Sequence, residues 1–166
     1  MNSPKRILLI GISGTGKTTL GRKLSASLNL PVYPLDKLIW RENWVEAPAA
    51  EVEAGIKSIV EKDSWIIEGF ISPEAKLKLE KADLILYLDY SGPRAAWGGL
   101  KRWWQHHDKI RPEMPAGCVE KLDWKYLKVM WLRMERMEIE EAIKGHENKI
   151  IRLKSPRKLK KYLRKK

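Results

Sequence analysis

The chain has 166 residues, 43% of them hydrophobic, with eight tryptophans and a net charge of +12. That length supports one domain, taken as residues 1–166, with a buried core, and the composition excludes a disordered polyelectrolyte. No apolar run approaches the roughly 20 residues that span a bilayer, so no membrane partner is expected.

In chain order, Ile7–Ile10 reads as a short strand, apolar throughout and therefore buried on both faces. The preceding Lys-Arg and this apolar run could be mistaken for a signal peptide, but the run is too short and leads into Gly-Thr-Gly-Lys. Gly11-Ile12-Ser13-Gly14-Thr15-Gly16-Lys17-Thr18 then fits G-x-x-x-x-G-K-[ST], the spacing of a phosphate-binding loop. Glycines let backbone N–H groups approach phosphate without a Cβ in the way, and the following helix adds its positive N-terminal end. The expected cofactors are ATP and Mg²⁺. Gly11, Ser13, Gly14, Thr15, Gly16, Lys17, Thr18 and Thr19 are expected to bind the nucleotide, with Lys17 at the β- and γ-phosphates and the Thr18 hydroxyl on Mg²⁺.

Leu20, Leu24 and Leu28 make one apolar stripe of a helix over 18–28, which Asn29 and Pro31 stop. Strands follow at 32–35, 65–67, 84–88 and 149–153, with helical runs at 49–61 and 73–81 and a longer helical region over 93–107 and 122–144. Strands alternating with helices argue for an α/β fold built on a parallel sheet with right-handed crossovers. The roughly sixty residues between the fourth and fifth strands exceed what a crossover needs. They are expected to form a lid excursion at about 93–145.

Within that excursion Met130, Met134 and Met137 recur at near-helical spacing and are expected in the core. His106 and His107 are adjacent, which does not suit a shared metal. Asp89 stands in Asp-Tyr-Ser-Gly, which spells a short GTPase motif, but no guanine-reading Asn-Lys-x-Asp accompanies it. The single Cys118 allows no internal disulfide and suits a reducing cytoplasm.

The charge is uneven. From Lys149 onward there are ten Lys or Arg and no acid, which leaves 23 basic against 21 acidic residues before it. Ser155-Pro156 reads as an N-cap followed by Pro at the first helical position, and Leu159, Tyr162 and Leu163 form a docking stripe. A solvated basic helix closing the domain is expected; a nucleic-acid surface is the alternative.

"GISGTGKTTL", "PLDKLIW", "WIIEGF", "ADLILYLD" and "RPEMPAGCVEKLDW" together resemble the DNA-topology modulation (FlaR-like) proteins, a branch of the adenylate-kinase-like P-loop kinases. The resemblance runs over nearly the whole chain. It implies a five-stranded parallel sheet in the order 2-3-1-4-5, flanked by helices, with a helical lid. It also implies roles for single residues: Glu68, with Gly69 after the third strand, holding a water on Mg²⁺; Asp36 after the second strand, near the acceptor; Lys101 and Arg102 as lid cations; and Ser155 to Arg157 around adenine. The chain departs from adenylate kinases where Phe70-Ile71-Ser72-Pro73 replaces their acceptor-binding arginine, and Gly98 stands where an earlier lid arginine is expected. Arg94 or Arg111 would have to supply that cation.

These residues outline an ATP-dependent kinase with Lys17, Asp36 and Arg102 as its catalytic groups and a small-molecule phosphate acceptor as its partner. Glu68 or Asp89 would orient the metal's water shell. Asp36 suits a general base for a hydroxyl acceptor, or a cap for the turn that follows it. Arg41 would suit an anionic acceptor, and Trp40 and Trp44 either stack on it or pack in the core. A monomer or homodimer is expected. A nucleic-acid-associated ATPase, a polynucleotide kinase or a nucleotide-dependent regulator remain the other readings.

Overall fold

The computed structural model describes residues 4–69 and 75–164. Five strands, β1 (Arg6–Ile10), β2 (Val32–Pro34), β3 (Trp65–Glu68), β4 (Leu84–Leu88) and β5 (Ile150–Leu153), form one sheet in the order β2-β3-β1-β4-β5. Every pairing is parallel, with Leu8 opposite Ile67 on one side and Ile85 on the other. The three central strands are buried almost end to end, as their unbroken apolar sequences require.

Helices cover both faces. On one, Leu8, Ile10, Trp65, Ile67, Ile85 and Tyr87 pack with Val52 and Ile56 of α3 (Ala49–Val60) and Leu79 of α4 (Ala75–Lys81). The same cluster takes in Ala95 of α5 (Gly92–His106), Met130 of α6 (Trp124–Leu132) and Ile139 of α7 (Arg136–Ala142). On the other face, Ile7, Leu9, Ile66, Leu86 and Leu88 meet Leu20 and Leu24 of α1 (Lys17–Leu28). Leu159, Tyr162 and Leu163 of α8 (Pro156–Leu163) close that layer. Alternate strand residues thus fill opposite layers, as the period of two demands. A one-turn helix, α2 (Asp36–Ile39), follows β2 directly.

Asn29 closes α1 in the left-handed conformation, as predicted. Ser155 caps α8 by accepting the Lys158 N–H, and Arg157, Lys158, Lys160 and Lys161 face solvent. Phe70, Ile71, Ser72 and Pro73 lie outside the described residues.

The helix predicted over 122–144 is in fact two. Arg133, at φ 56°, turns the chain left-handed and donates its N–H to Val129 and Met130 carbonyls, so α6 ends there and α7 begins at Arg136. That turn breaks the methionine stripe. Met130 is buried, whereas Met134 and Met137 are exposed at 59% and 82%. The core role expected of all three holds for Met130 alone.

Candidate active site

The phosphate loop joins β1 to α1 at the carboxyl edge of the sheet, where open α/β sheets place their ligands. Inside the loop the Thr15 hydroxyl donates to the Ile12 carbonyl at 2.8 Å and is buried. Lys17 curls back over the loop, its Nζ donating to the Gly11 carbonyl at 2.8 Å and the Ile12 carbonyl at 3.1 Å. Burial pushes the Lys17 ammonium below the ordinary lysine value; Glu68, Glu135 and Asp36 oppose that, and Arg102 adds to it.

Glu68 ends β3 and is itself buried. Burial raises its carboxyl above the usual range, against the pull of Lys17 and of a hydrogen bond with Thr18. The Thr18–Glu68 oxygen pair is the donor set that a hard cation takes. Among the described residues no group of three or more His, Cys, Asp or Glu could hold a metal by itself. Mg²⁺ commonly completes its shell with substrate phosphates and water, so one hydroxyl and one carboxylate fit it.

Two approaches of the excursion to the loop had no sequence signal. The backbone N–H of Ser13 donates to Glu135 Oε2 at 2.7 Å, the Ser13 hydroxyl donates to Glu135 Oε1 at 3.1 Å, and Ser13 Oγ meets the Tyr126 hydroxyl at 2.5 Å. Helix α5 lies directly on the loop: a Cβ built on Gly98 would sit 1.9 Å from the Gly14 carbonyl oxygen, and one on Gly14 would sit 2.1 Å from that of Ala95. The lid arginine missing at Gly98 thus has a steric reason, since no side chain fits between helix and loop.

The lid cations divide. Arg102 Nε donates to Glu120 Oε1 at 2.9 Å and acts on Lys17, whereas Arg94 and Lys101 occupy exposed positions of α5. Arg111 is buried, its Nε 2.8 Å from Glu120 Oε2 without a directed hydrogen bond, and its Nη1 3.4 Å from Glu113 and 4.0 Å from Asp36. Arg22 of α1 reaches Glu113 from the other side at 2.5 Å. Asp36 stands just past β2; α2 has no side-chain capping bond, and Asp36 keeps 40% of its side chain exposed. The capping role gains no support from that geometry.

Arg41 is not brought to this cluster. It pairs with Glu51 of α3 at 2.5 Å, half in solvent, so an acceptor anion would have to displace that carboxylate. Trp40 and Trp44 meet edge to face at 5.4 Å on the same loop, and Trp44 Nε1 donates to the Val119 carbonyl at 3.3 Å. Cys118 is buried beneath them, its thiol donating to the Arg41 carbonyl. Asp89 departs from expectation. It is held by Arg133 and by Arg136 and Arg152 at 3.4 and 3.3 Å, so three guanidinium groups already neutralise it and little remains for a metal's water shell. Ser155 and Arg157 follow β5 as the resemblance implies, Ser155 partly buried and Arg157 exposed.

Residues 7–70 match the model of the ATPase family associated with various cellular activities (AAA). The chain is 28% identical over 106 residues to a shikimate kinase of Thioalkalivibrio sulfidiphilus, covering 55% of this chain and 56% of that protein. Over 154 residues it is 24% identical to the ATP-dependent protease ATPase subunit HslU of Helicobacter acinonychis, covering 92% of this chain and 30% of that one. The chain thus spans little more than half the length of these curated relatives at most. In structure it resembles shikimate kinase from Aquifex aeolicus, with a TM-score of 0.52 at 19% identity over 95% of this chain and 94% of that one. It also resembles a gluconokinase from Sinorhizobium meliloti, with a TM-score of 0.56 at 16% identity over 99% of this chain and 90% of that one. None of these descriptions refers to DNA topology. The chain has the α/β fold of the P-loop kinases, with the sheet order 2-3-1-4-5.

Proposed function

We propose that the chain is an ATP- and Mg²⁺-dependent phosphotransferase acting on a small molecule. The observation behind this reading is that Lys17 and Thr18 at the phosphate loop, Glu68 at the end of β3 and Asp36 just past β2 share the carboxyl edge of the sheet, with Arg102 linked to Asp36 through Glu120 and Arg111. Phosphoryl transfer needs positioning and positive charge around the equatorial oxygens more than covalent help. Lys17 and Arg102 would supply that charge, Thr18 and Glu68 would hold the Mg²⁺ that neutralises the phosphates, and loop N–H groups would cradle the β-phosphate. Asp36 would take the proton of the attacking hydroxyl as its oxygen bonds to the γ-phosphorus and the bond to ADP breaks. Ser155 and Arg157 would border adenine, and Trp40 would offer the acceptor a ring face.

The shikimate and gluconate kinases of this fold act on small hydroxylated molecules, which agrees with this reading. The direct test is ADP release from ATP and Mg²⁺ across an acceptor library. Release that rises with one acceptor well above the no-acceptor background is expected. Release independent of every acceptor would overturn the proposal and return the chain to an ATPase or a nucleotide-dependent regulator.

A further inference from the structure

Arg22, Arg102 and Arg111, which form one ion-pair cluster with Asp36, are matched by acids that belong to the chain itself. Arg111 and Arg102 share the two oxygens of Glu120, at 2.8 and 2.9 Å. Arg111 also meets Glu113 at 3.4 Å and Asp36 at 4.0 Å, and Glu113 is held in turn by Arg22 at 2.5 Å. Three guanidinium groups thus face three carboxylates, and Arg111, Glu113 and Glu120 are each more than nine-tenths buried. An arginine that binds a carboxylate or phosphate does so with a free bidentate fork. Here the charge of Arg111 is already matched from within the fold by Glu113, Glu120 and Asp36, although its Nε makes no directed hydrogen bond. Asp36 is the most exposed of the three carboxylates, with 40% of its side chain in solvent.

We infer that the acceptor is an uncharged hydroxyl compound, of the polyol, sugar or nucleoside kind, and that Glu113 and Glu120 exclude anionic acceptors by neutralising Arg111. This rests on the kinase reading above. An entering carboxylate would have to displace Glu120 from a site closed to water, where a stranded charge is costly, and would meet Asp36 besides. A neutral hydroxyl needs no such exchange. It donates its hydrogen bond to Asp36, attacks the γ-phosphorus as the bond to ADP breaks, and passes its proton to the Asp36 carboxylate. The edge-to-face pair of Trp40 and Trp44 on the adjoining loop gives an apolar surface of the sort on which sugar rings and bases rest. The fold thus serves a different acceptor chemistry here from shikimate or gluconate, each of which carries a carboxylate.

The test presents the full chain, with ATP and Mg²⁺, with three acceptor panels matched in size: neutral polyols, sugars and nucleosides; hydroxycarboxylates; and phosphate monoesters. The best neutral acceptor is expected to exceed the best anionic one in kcat/KM by about tenfold or more, the order of one charge-assisted hydrogen bond. A higher kcat/KM for any anionic acceptor would overturn the inference and leave the kinase reading standing. ADP release that no panel raises would overturn the kinase reading and the inference with it. Glu120→Gln, which keeps the shape and removes the charge, should raise the ratio of anionic to neutral kcat/KM by about tenfold. Glu113→Gln, whose partner Arg22 is half exposed, should do the same to a smaller degree and guards against a folding defect in the first variant. An unchanged ratio in variants that still melt cooperatively would overturn the assignment to these two acids. The wild-type panels decide the acceptor class whether or not either variant folds.

Discussion

The carboxylate of Glu135 accepts the backbone N–H of Ser13 at 2.7 Å, so an acid from the turn between α6 and α7 rests on the mouth of the phosphate loop. An N–H group that would face phosphate oxygens is thereby paired with an anion from the same chain. Nucleotide must compete with that carboxylate. Glu135→Gln is expected to tighten ATP binding by about tenfold, the order of one charge-assisted hydrogen bond. Titration of both proteins with ATP and Mg²⁺ measures this, and equal or weaker binding by the variant would mean the contact does not oppose the nucleotide.

Lys17→Ala should lower turnover by roughly 10²–10³, as removal of one preorganised donor does. The fold should persist, since among the described residues the Lys17 ammonium bonds to the loop carbonyls of Gly11 and Ile12. Steady-state rates beside a thermal melt separate the two effects.

Glu68→Gln carries a pH signature. Burial holds the Glu68 carboxyl above its ordinary value of 4.5, so the folded state binds its proton more tightly than the unfolded chain does. The stability this contributes is fully present below the unfolded value and is lost as pH rises through the folded one. The glutamine variant, permanently neutral, should therefore melt higher than wild type at neutral pH, with the gap closing as pH falls toward the unfolded value. Metal-dependent turnover should drop by about 10–100-fold, as loss of an outer-shell metal partner typically does. Melts from pH 4 to 8 that show no change in the gap would remove burial as the cause.

Asp36→Asn should cost at least about tenfold in turnover, toward the 10²–10⁴ typical of a lost general base, while ATP affinity and melting stay close to wild type. The side chain makes no capping bond and, among the described residues, its ion-pair partner Arg111 is 4.0 Å away, so little stability depends on its charge. Undiminished turnover would shift the proton-accepting role to another group.

Gly98→Ala should destabilise by about 1–3 kcal/mol, the usual range for overpacking, and weaken nucleotide binding, because its Cβ would meet the Gly14 carbonyl at 1.9 Å. By contrast, neutralising Lys158 and Lys161 on the outer face of α8 should leave ATP turnover intact. If the tail contacts nucleic acid, those changes should flatten a steep salt dependence of binding, and they have no such effect on a purely solvated helix. Denaturation curves answer the first point, and salt titrations on labelled DNA and RNA the second.

The local elements were legible because their causes are local. An unbroken run as short as Ile7–Ile10, bounded by a glycine-rich loop, reads as a buried strand, the glycine spacing before Lys17 frames a tight loop, and Asn29 stops α1 in the left-handed conformation. Ser155-Pro156 likewise announced α8, and Leu159, Tyr162 and Leu163 its docked side. The strand order followed from resemblance and not from the pattern itself. What the tertiary structure decided is which charges meet. Glu135 lies 122 residues from Ser13, and Glu113 lies 91 from Arg22; periodicity places each on its own element but holds no record of the facing surface. Arg133 shows the same limit. Neither glycine nor proline marks the break there, since the left-handed turn is held by its caps and by the pairing of its guanidinium with Asp89, 44 residues away. That pairing engages Asp89 with arginine, and Glu135, two residues after Arg133, lies on the loop. Local sterics and hydrophobic spacing wrote the framework into the sequence, while the ion pairs that set the site's charge exist only once distant surfaces are packed and water is excluded.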